Sequence, residues 1–335
     1  MQAWVLQDQA DKQLSALTWQ AVPQPVPADD EVLVKVHANG LNPVDYKLVE
    51  GGVASWTYPH VIGLDVAGEI AAVGSKVTDF QIGDRVFYHG DLARQGGFAE
   101  YVTTKADVVA QLPEKLSYAQ GAALLCGAMT GYQAFYRKAN LTNVHTILVH
   151  AGAGGVGGIV IQLAKAAGKT VYTTVSKGKQ AFVKQFGPDE MIDYHATDVT
   201  EAIKQLTDGL GVDLIINSIG SAEATKDLDR VAYNGCVVTI DGQPDISQND
   251  ALDRGVGIYS LNLGGAHRSG NPVQRHDLAV MAEALGQLTA AGQLDPMIER
   301  ILPVSAVPEG LQMLKDHQVT GKLVVSWDDG QTESK

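Results

Sequence analysis

The chain has 335 residues, 45% hydrophobic and 19% charged, with a formal net charge of −13 and two cysteines. That length asks for two or three domains rather than one core. An acidic chain without basic clusters argues against nucleic acid or an anionic membrane as partner, and two cysteines exclude a disulfide framework and a cysteine-rich zinc lobe.

The N-terminal stretch MQAWVLQDQADKQL has early acidic residues and no apolar signal segment, and no apolar run is long enough to span a bilayer. A soluble protein of the reducing cytoplasm is expected. From residue 31 the first third reads as strands. EVLVKVHANGLN (31–42) alternates with its apolar set at Val32, Val34 and Val36, and DVAGEIAAVG (65–74), GDRVFYHG (83–90), GGFAEYVTT (96–104) and VVAQLP (108–113) follow. Many short strands with turn punctuation predict a compact, barrel-like β unit.

Residues 117–139 read as helix, small residues and helix again. Strict alternation then begins, with strands at 146–151, 171–175, 191–194, 212–219 and 236–241 and helices at 157–168, 179–187, 199–209 and 222–233. Such alternation predicts a parallel sheet covered on both faces, with GVGIYSLNL (255–263) as a sixth strand. VQRHDLAVMAEALGQLTAAGQ (273–293) reads as an amphipathic helix, and 296–327 as strand, helix, strand that return to the first domain. The polar tail DDGQTESK is expected to fray.

The most specific local signal is HAGAGGVG, in which Gly152, Gly154 and Gly157 stand as G-x-G-x-x-G. It closes a predicted strand and opens a predicted helix, which is the setting of a dinucleotide loop. The first glycine permits the turn, the second lets backbone approach a pyrophosphate, and the third lets helix and strand pack closely; Gly155 and Val156 complete the loop. The uncovered N–H groups of the helix start then face the phosphates. An NAD site carries an acid at the end of the next strand, whereas here Ser176, Lys177, Gly178 and Lys179 follow VYTTV. Hydroxyl and ammonium groups suit a 2′-phosphate, so NADP(H) is favoured; the alternative is that both lysines are solvated helix-start residues.

GLNPVDYK (40–47), VIGLDVAGEIAAVGSKVTDFQIGDRV (61–86), GGFAEYV (96–102), LLCGAMTGY (124–132), GAGGVG (152–157) and VTGKLVV (319–325) occur in that order. As a set they resemble the medium-chain dehydrogenase/reductase superfamily, most of all its zinc-free quinone oxidoreductase branch, nearly end to end. The resemblance implies an α/β protein: a GroES-like β-rich catalytic domain (1–125), a Rossmann-like doubly wound parallel sheet that binds NADP (126–265), and a segment that returns to the catalytic domain (266–335). It implies an active site between the domains, faced by the residues of NPVD and CGAMT. It implies a homodimer paired through 255–263, for which an ordinary covered edge strand is the alternative. It places Ser176, Lys179 and Tyr194 at the adenosine phosphate, and Tyr194 could equally be a half-buried strand-end tyrosine. Asn217, Gly220 and Gly242 end strands on the cofactor side.

At the positions where zinc-dependent relatives hold Cys, His and Cys, this chain has Asn42, Leu64 and Cys126. Leucine donates nothing and an amide is a poor zinc ligand, so no metal is expected. His60 reads as a turn residue rather than a ligand with Asp65, and Cys126 as a packing group on the site's floor. Without a Lewis acid to make an alkoxide, reduction suits the site better than alcohol oxidation: NADPH would deliver hydride to a small quinone or enone. Asn42 is expected to donate through its amide, with Tyr46 or Thr130 through a hydroxyl, to the oxygen that gains charge. Asp45, taken at its usual pKa, would be ionised and would orient a neighbour or bind a cofactor hydroxyl. The competing readings are a 2-alkenal or enoyl-thioester reductase on the same scaffold, a zinc-type alcohol dehydrogenase, and a non-catalytic nucleotide-binding protein.

Overall fold

The computed structural model describes residues 1–247 and 250–328. The tail expected to fray lies, from residue 329 onward, outside the described residues. The chain forms two compact units, residues 1–129 together with 264–335, and residues 130–263.

The first unit begins with strands β1 (Gln2–Leu6), β2 (Thr18–Ala21) and β3 (Glu31–Leu41). Helix α1 (Pro43–Gly51) starts directly after β3. Proline at its first position has its torsion preset, and the side-chain Oδ2 of Asp45 accepts the backbone N–H of Asn42 at 2.8 Å across the first turn. Strands β4 (His60–Val61), β5 (Asp65–Val73), β6 (Arg85–His89), β7 (Tyr101–Lys105) and β8 (Ala110–Gln111) follow, then helices α2 (Tyr118–Ala123) and α3 (Cys126–Tyr132). Ser117 and Gln120 cap α2 reciprocally.

The second unit alternates β9 (Thr146–Val149), α4 (Gly157–Ala166), β10 (Thr170–Thr174), α5 (Gln180–Lys184), β11 (Glu190–Ile192), α6 (Val199–Leu206), β12 (Val212–Asn217), α7 (Ser221–Asp227), β13 (Val231–Thr239) and β14 (Gly257–Ser260). All pairings are parallel, in the order β11-β10-β9-β12-β13-β14. The winding direction reverses between β9 and β12, and ligands of such sheets bind at the carboxyl ends of the two strands flanking the reversal. The core on one face gathers Leu148, Ile203, Val212, Ile215, Leu228 and Val237, all buried.

The chain then rejoins the first unit through α8 (Gly265–Arg268), α9 (Pro272–Ala290), β15 (Ile298–Pro303), α10 (Val307–Lys315) and β16 (Lys322–Ser326). A seven-stranded sheet runs β15-β16-β3-β5-β6-β8, with β7 also on β3, and β2-β1-β4 forms a smaller sheet. In α9 the buried Leu278, Met281, Ala282, Leu285 and Thr289 recur at helical spacing. Leu41, Val49, Trp56, Phe98, Val307, Leu311 and Leu323 share one apolar cluster, so strands from both ends of the chain close the same core.

Three expectations change. Val32, Val34 and Val36 are buried, but so is Leu33, because β3 is covered on both faces and only Lys35 is exposed among these five. The helix expected over 222–233 stops at Asp227; Val231 pairs with Val212 as a strand residue, and Asn234, at φ 57°, absorbs the register shift before Cys236 pairs with Leu214. His60 is no turn residue: it lies in β4, buried, its ring stacked 3.9 Å from that of Trp56.

Candidate functional site

In the second unit the carboxyl end of β9 runs into His150 and the glycine loop. Ala151 holds a positive φ of 54°, a conformation that costs a residue with a β-carbon roughly 1–2 kcal/mol. Two hydrogen bonds enforce it: the Ala151 N–H donates to Thr174 Oγ1 at 3.0 Å and the Gly152 N–H to the Thr174 carbonyl at 3.0 Å. The three motif glycines have different reasons. A β-carbon at Gly152 would collide with the Thr173 side chain, and one at Gly157 with the Ala151 carbonyl. At Gly154 such a carbon would meet one atom, the Ala151 carbonyl oxygen at 3.3 Å, a tight contact but far milder than the overlaps at the other two glycines. Its bare backbone leaves room for an approaching group. Gly155 and Val156 are half-buried beside it, and Val156 gives α4 no side-chain cap, which leaves the helix start to an anion. These features fit a dinucleotide pyrophosphate.

At the end of β10, Ser176 precedes a short turn of 3₁₀ helix, Lys177–Lys179, with Lys177 exposed and Ser176 and Lys179 half-exposed. Residues 175–179 contain no carboxylate. Tyr194 is exposed, its ring 4.3 Å from that of His195. Asn217, fully buried at the end of β12, accepts the N–H groups of Ile219 (2.8 Å) and Gly220 (3.2 Å) on Oδ1. Gly242, after β13, packs against Ser221, the first residue of α7. Thr130 is buried on α3.

In the first unit Asn42 and Asp45, of the predicted residues, join a buried polar cluster. Asn42 accepts from Lys322 Nζ on Oδ1 at 2.6 Å and donates through Nδ2 to Asp65 Oδ2 (2.8 Å) and the Gly40 carbonyl (3.3 Å). Both amide hydrogens are therefore spent inside the protein, which corrects the expectation that Asn42 donates to an acceptor oxygen. Tyr46, half-buried on α1, packs against the apolar cluster of this unit. Lys322 also donates to the Leu41 carbonyl at 3.2 Å and lies 3.8 Å from Asp65 Oδ2. Asp65 accepts the Cys126 N–H on both oxygens, at 3.0 and 3.1 Å.

Burial dominates the protonation of this cluster. It pushes the Asp65 carboxyl up to about 6 against the pull of Lys322, and the Cys126 thiol well above its usual range. Burial and the adjacent Asp65 charge lift Asp45 to about 8. Asp45 is thus a protonated acid at neutral pH, not the ionised carboxylate expected from its usual value, and it orients Asn42. Burial lowers His89 and His267 to about 4, so both rings are neutral.

Neither the zinc-ligand positions nor their surroundings fit that metal. Leu64 is buried and donates nothing, and Asn42 is committed to three internal bonds. A nearby group, Asp65, His89 and Cys126, brings three donor atoms within 4.8 Å of one another. The cation already there is the Lys322 ammonium, and the thiol is held protonated. Sequence reasoning missed Lys322 and His89; a lysine inside the apolar run KLVV was the available signal for the first. It also missed a second cluster, the buried His150 and Asp227 with the half-buried Glu223, closed by the Arg230 guanidinium.

Residues 28–114 match the alcohol dehydrogenase GroES-like domain and residues 155–276 the zinc-binding dehydrogenase family. Quinone oxidoreductase of Sus scrofa is 31% identical over 90% of both chains. The solved quinone oxidoreductase from Coxiella burnetii superposes with a TM-score of 0.82 at 30% identity, over 97% of this chain and 99% of that one. The CurK enoyl reductase structure gives 0.84 at 25% identity, over 97% and 99%. With its GroES-like unit, its doubly wound parallel sheet and these relatives, the chain is an oxidoreductase and belongs to the quinone oxidoreductase branch of the medium-chain dehydrogenase/reductase superfamily.

Proposed function

We propose that this oxidoreductase uses NADPH to reduce small quinones or α,β-unsaturated carbonyls without zinc. The observation that carries the cofactor preference is the end of β10, where Ser176, Lys177 and Lys179 stand with no carboxylate to repel a 2′-phosphate. Gly152, Gly154, Gly155, Val156 and Gly157 receive the pyrophosphate, Tyr194, Gly220 and Gly242 line the rest of the nucleotide, and Asn217, buried with its amide spent on Asp227 and on the N–H groups of Ile219 and Gly220, shapes the loop behind them without touching the nucleotide. When bound, the reduced nicotinamide supplies the hydride.

The chain's own residues bind, orient and place protons. Lys322, Asn42 and Asp65 form a closed ladder that fixes the turn from β3 into α1. Tyr46 and Thr130 are the hydroxyl donors left to meet the acceptor oxygen, since the Asn42 amide is occupied. Asp45 stays neutral and keeps its proton within the buried cluster. Likeness to an enoyl reductase supports enone acceptors beside quinones. A cytoplasmic homodimer paired through β14, the last strand of its sheet and one that exposes Tyr259, completes the reading.

The test is oxidation of NADPH and of NADH against 1,4-benzoquinone, 9,10-phenanthrenequinone, an enone and a simple aldehyde, each with and without chelator. Chelator-insensitive, NADPH-selective turnover of quinone or enone is expected. Chelator-sensitive aldehyde reduction would overturn the zinc-free reading, equal use of both cofactors the assignment at β10, and no turnover at all the acceptor class.

A further inference from the structure

Asp227 is fully buried at the end of α7, and neither the motif nor the proposed mechanism uses it. Three donors converge on its carboxylate. His150 Nε2, immediately after β9, lies 2.8 Å from Oδ1; Arg230 Nη1 lies 2.9 Å from the same oxygen; Asn217 Nδ2, at the end of β12, lies 2.6 Å from Oδ2. An ionised carboxylate only accepts, so the imidazole carries its hydrogen on Nε2. Arg230 is itself held by Glu223 at 2.5 Å and by Thr200 Oγ1 at 2.9 Å.

Two of these donors are clamps on backbone. Asn217 turns its Oδ1 to the N–H groups of Ile219 and Gly220, which shapes the loop from β12 into α7. His150 Nδ1 lies 3.2 Å from Thr174 Oγ1, the oxygen that accepts the Ala151 N–H and holds that residue at positive φ. One carboxylate thus reaches the loops after β9 and after β12, the two strands that flank the reversal of the sheet.

We propose that Asp227 is the positioning residue of the dinucleotide site, setting both loops so that a nicotinamide dinucleotide meets them already ordered. The inference rests on the dinucleotide reading above. Its logic is donor polarity. An amide at 227 sets N–H against the N–H of Asn217. If Asn217 turns over to accept, its own NH₂ faces the N–H groups of Ile219 and Gly220. Exchanging the two residues restores every bond: a carboxylate at 217 accepts from both backbone N–H groups and from the new amide, whose oxygen still accepts from His150 and Arg230.

The experiment measures NADPH and NADH binding to the full chain by calorimetry, with amide hydrogen exchange, for the wild type, Asp227→Asn, and the double variant Asp227→Asn/Asn217→Asp. Asp227→Asn is expected to weaken NADPH binding about 10- to 100-fold and to speed exchange at Ile219 and Gly220. The double variant is expected to return to within about threefold of the wild type, a rescue that general loosening of the unit would not give. Unchanged binding in Asp227→Asn, or a folded double variant that does not recover, overturns the proposal. If Asp227→Asn does not fold, the double variant decides alone, and its failure to fold or bind has the same meaning. A wild type that binds neither dinucleotide overturns the dinucleotide reading, and this inference with it.

Discussion

Replacing Asp45 by asparagine should change how stability depends on pH, by an amount the site fixes. Asp45 is fully buried, and burial with the neighbouring Asp65 charge raises its carboxyl from 3.8 to about 8. The folded protein therefore holds this proton more tightly than the unfolded chain does. Such a group leaves stability unaffected below the unfolded value and erodes it as pH rises through the folded one. Each unit of pKa difference is worth about 1.4 kcal/mol, so between pH 5 and pH 8 the wild type loses on the order of 4 kcal/mol through this group alone. Asparagine has the same shape, keeps an oxygen for the Asn42 N–H and does not titrate. The variant should thus gain about 4 kcal/mol relative to the wild type over that range, while Asp65 titrates in both and cancels. All four tryptophans, Trp4, Trp19, Trp56 and Trp327, lie in the unit that contains Asp45, so urea unfolding followed by their fluorescence reports on the right unit. Parallel curves for the two proteins at pH 5, 6.5 and 8 would refute the protonated-acid argument.

Lys322→Met removes the only ammonium bonded to Asn42 among the described residues and leaves Asp65 charged and buried, so it should destabilise the first unit by about 3–5 kcal/mol in the same assay at pH 8. The loss should shrink at pH 5, where Asp65, at about 6, takes up a proton. Phe98→Ala empties a fully buried position whose ring packs against Gly63, and should cost about 3–5 kcal/mol by denaturant titration with no change in dinucleotide affinity. Ser176→Glu sets a carboxylate at the end of β10; the KM for NADPH should rise about tenfold or more while that for NADH holds or falls, and equal changes for both would remove the 2′-phosphate from that position.

Periodicity and glycine spacing reached most of the second unit, because each βα repeat writes its own pattern locally. The same reasoning overran α7 by six residues: Arg230, Val231 and Tyr233 suit either state, and the pairing of Val231 with Val212 decides between them. In the first unit the motif NPVD pointed to the right residues but not to their states. Whether Asn42 has a hydrogen to give depends on Asp65, 23 positions away, with Lys322, 280 positions away, fixing which end of the amide faces it; the charge of Asp45 depends on burial and on Asp65. Asp227 was invisible for a similar reason. Its partners His150 and Asn217 lie 77 and 10 positions away, and only the folded sheet brings them to one carboxylate.

The pairing of β3 with β16 also bears on how the chain is made. Leu41 sits opposite Leu323 in that ladder, and residues 130–263 form a separate unit between them. Emerging from a ribosome, the second unit has all of its strands long before the first has its last two. The last residues of β3, Ala38–Leu41, must then wait without the strand that pairs with them through the synthesis of more than half of the chain. Asp65 and Asn42 wait too, since their cation arrives only with Lys322. Order of synthesis thus makes the cluster of Asn42, Asp65 and Lys322 the last part of the molecule to mature, and a chain truncated before residue 322 should hold a finished parallel-sheet unit beside an unfinished first unit.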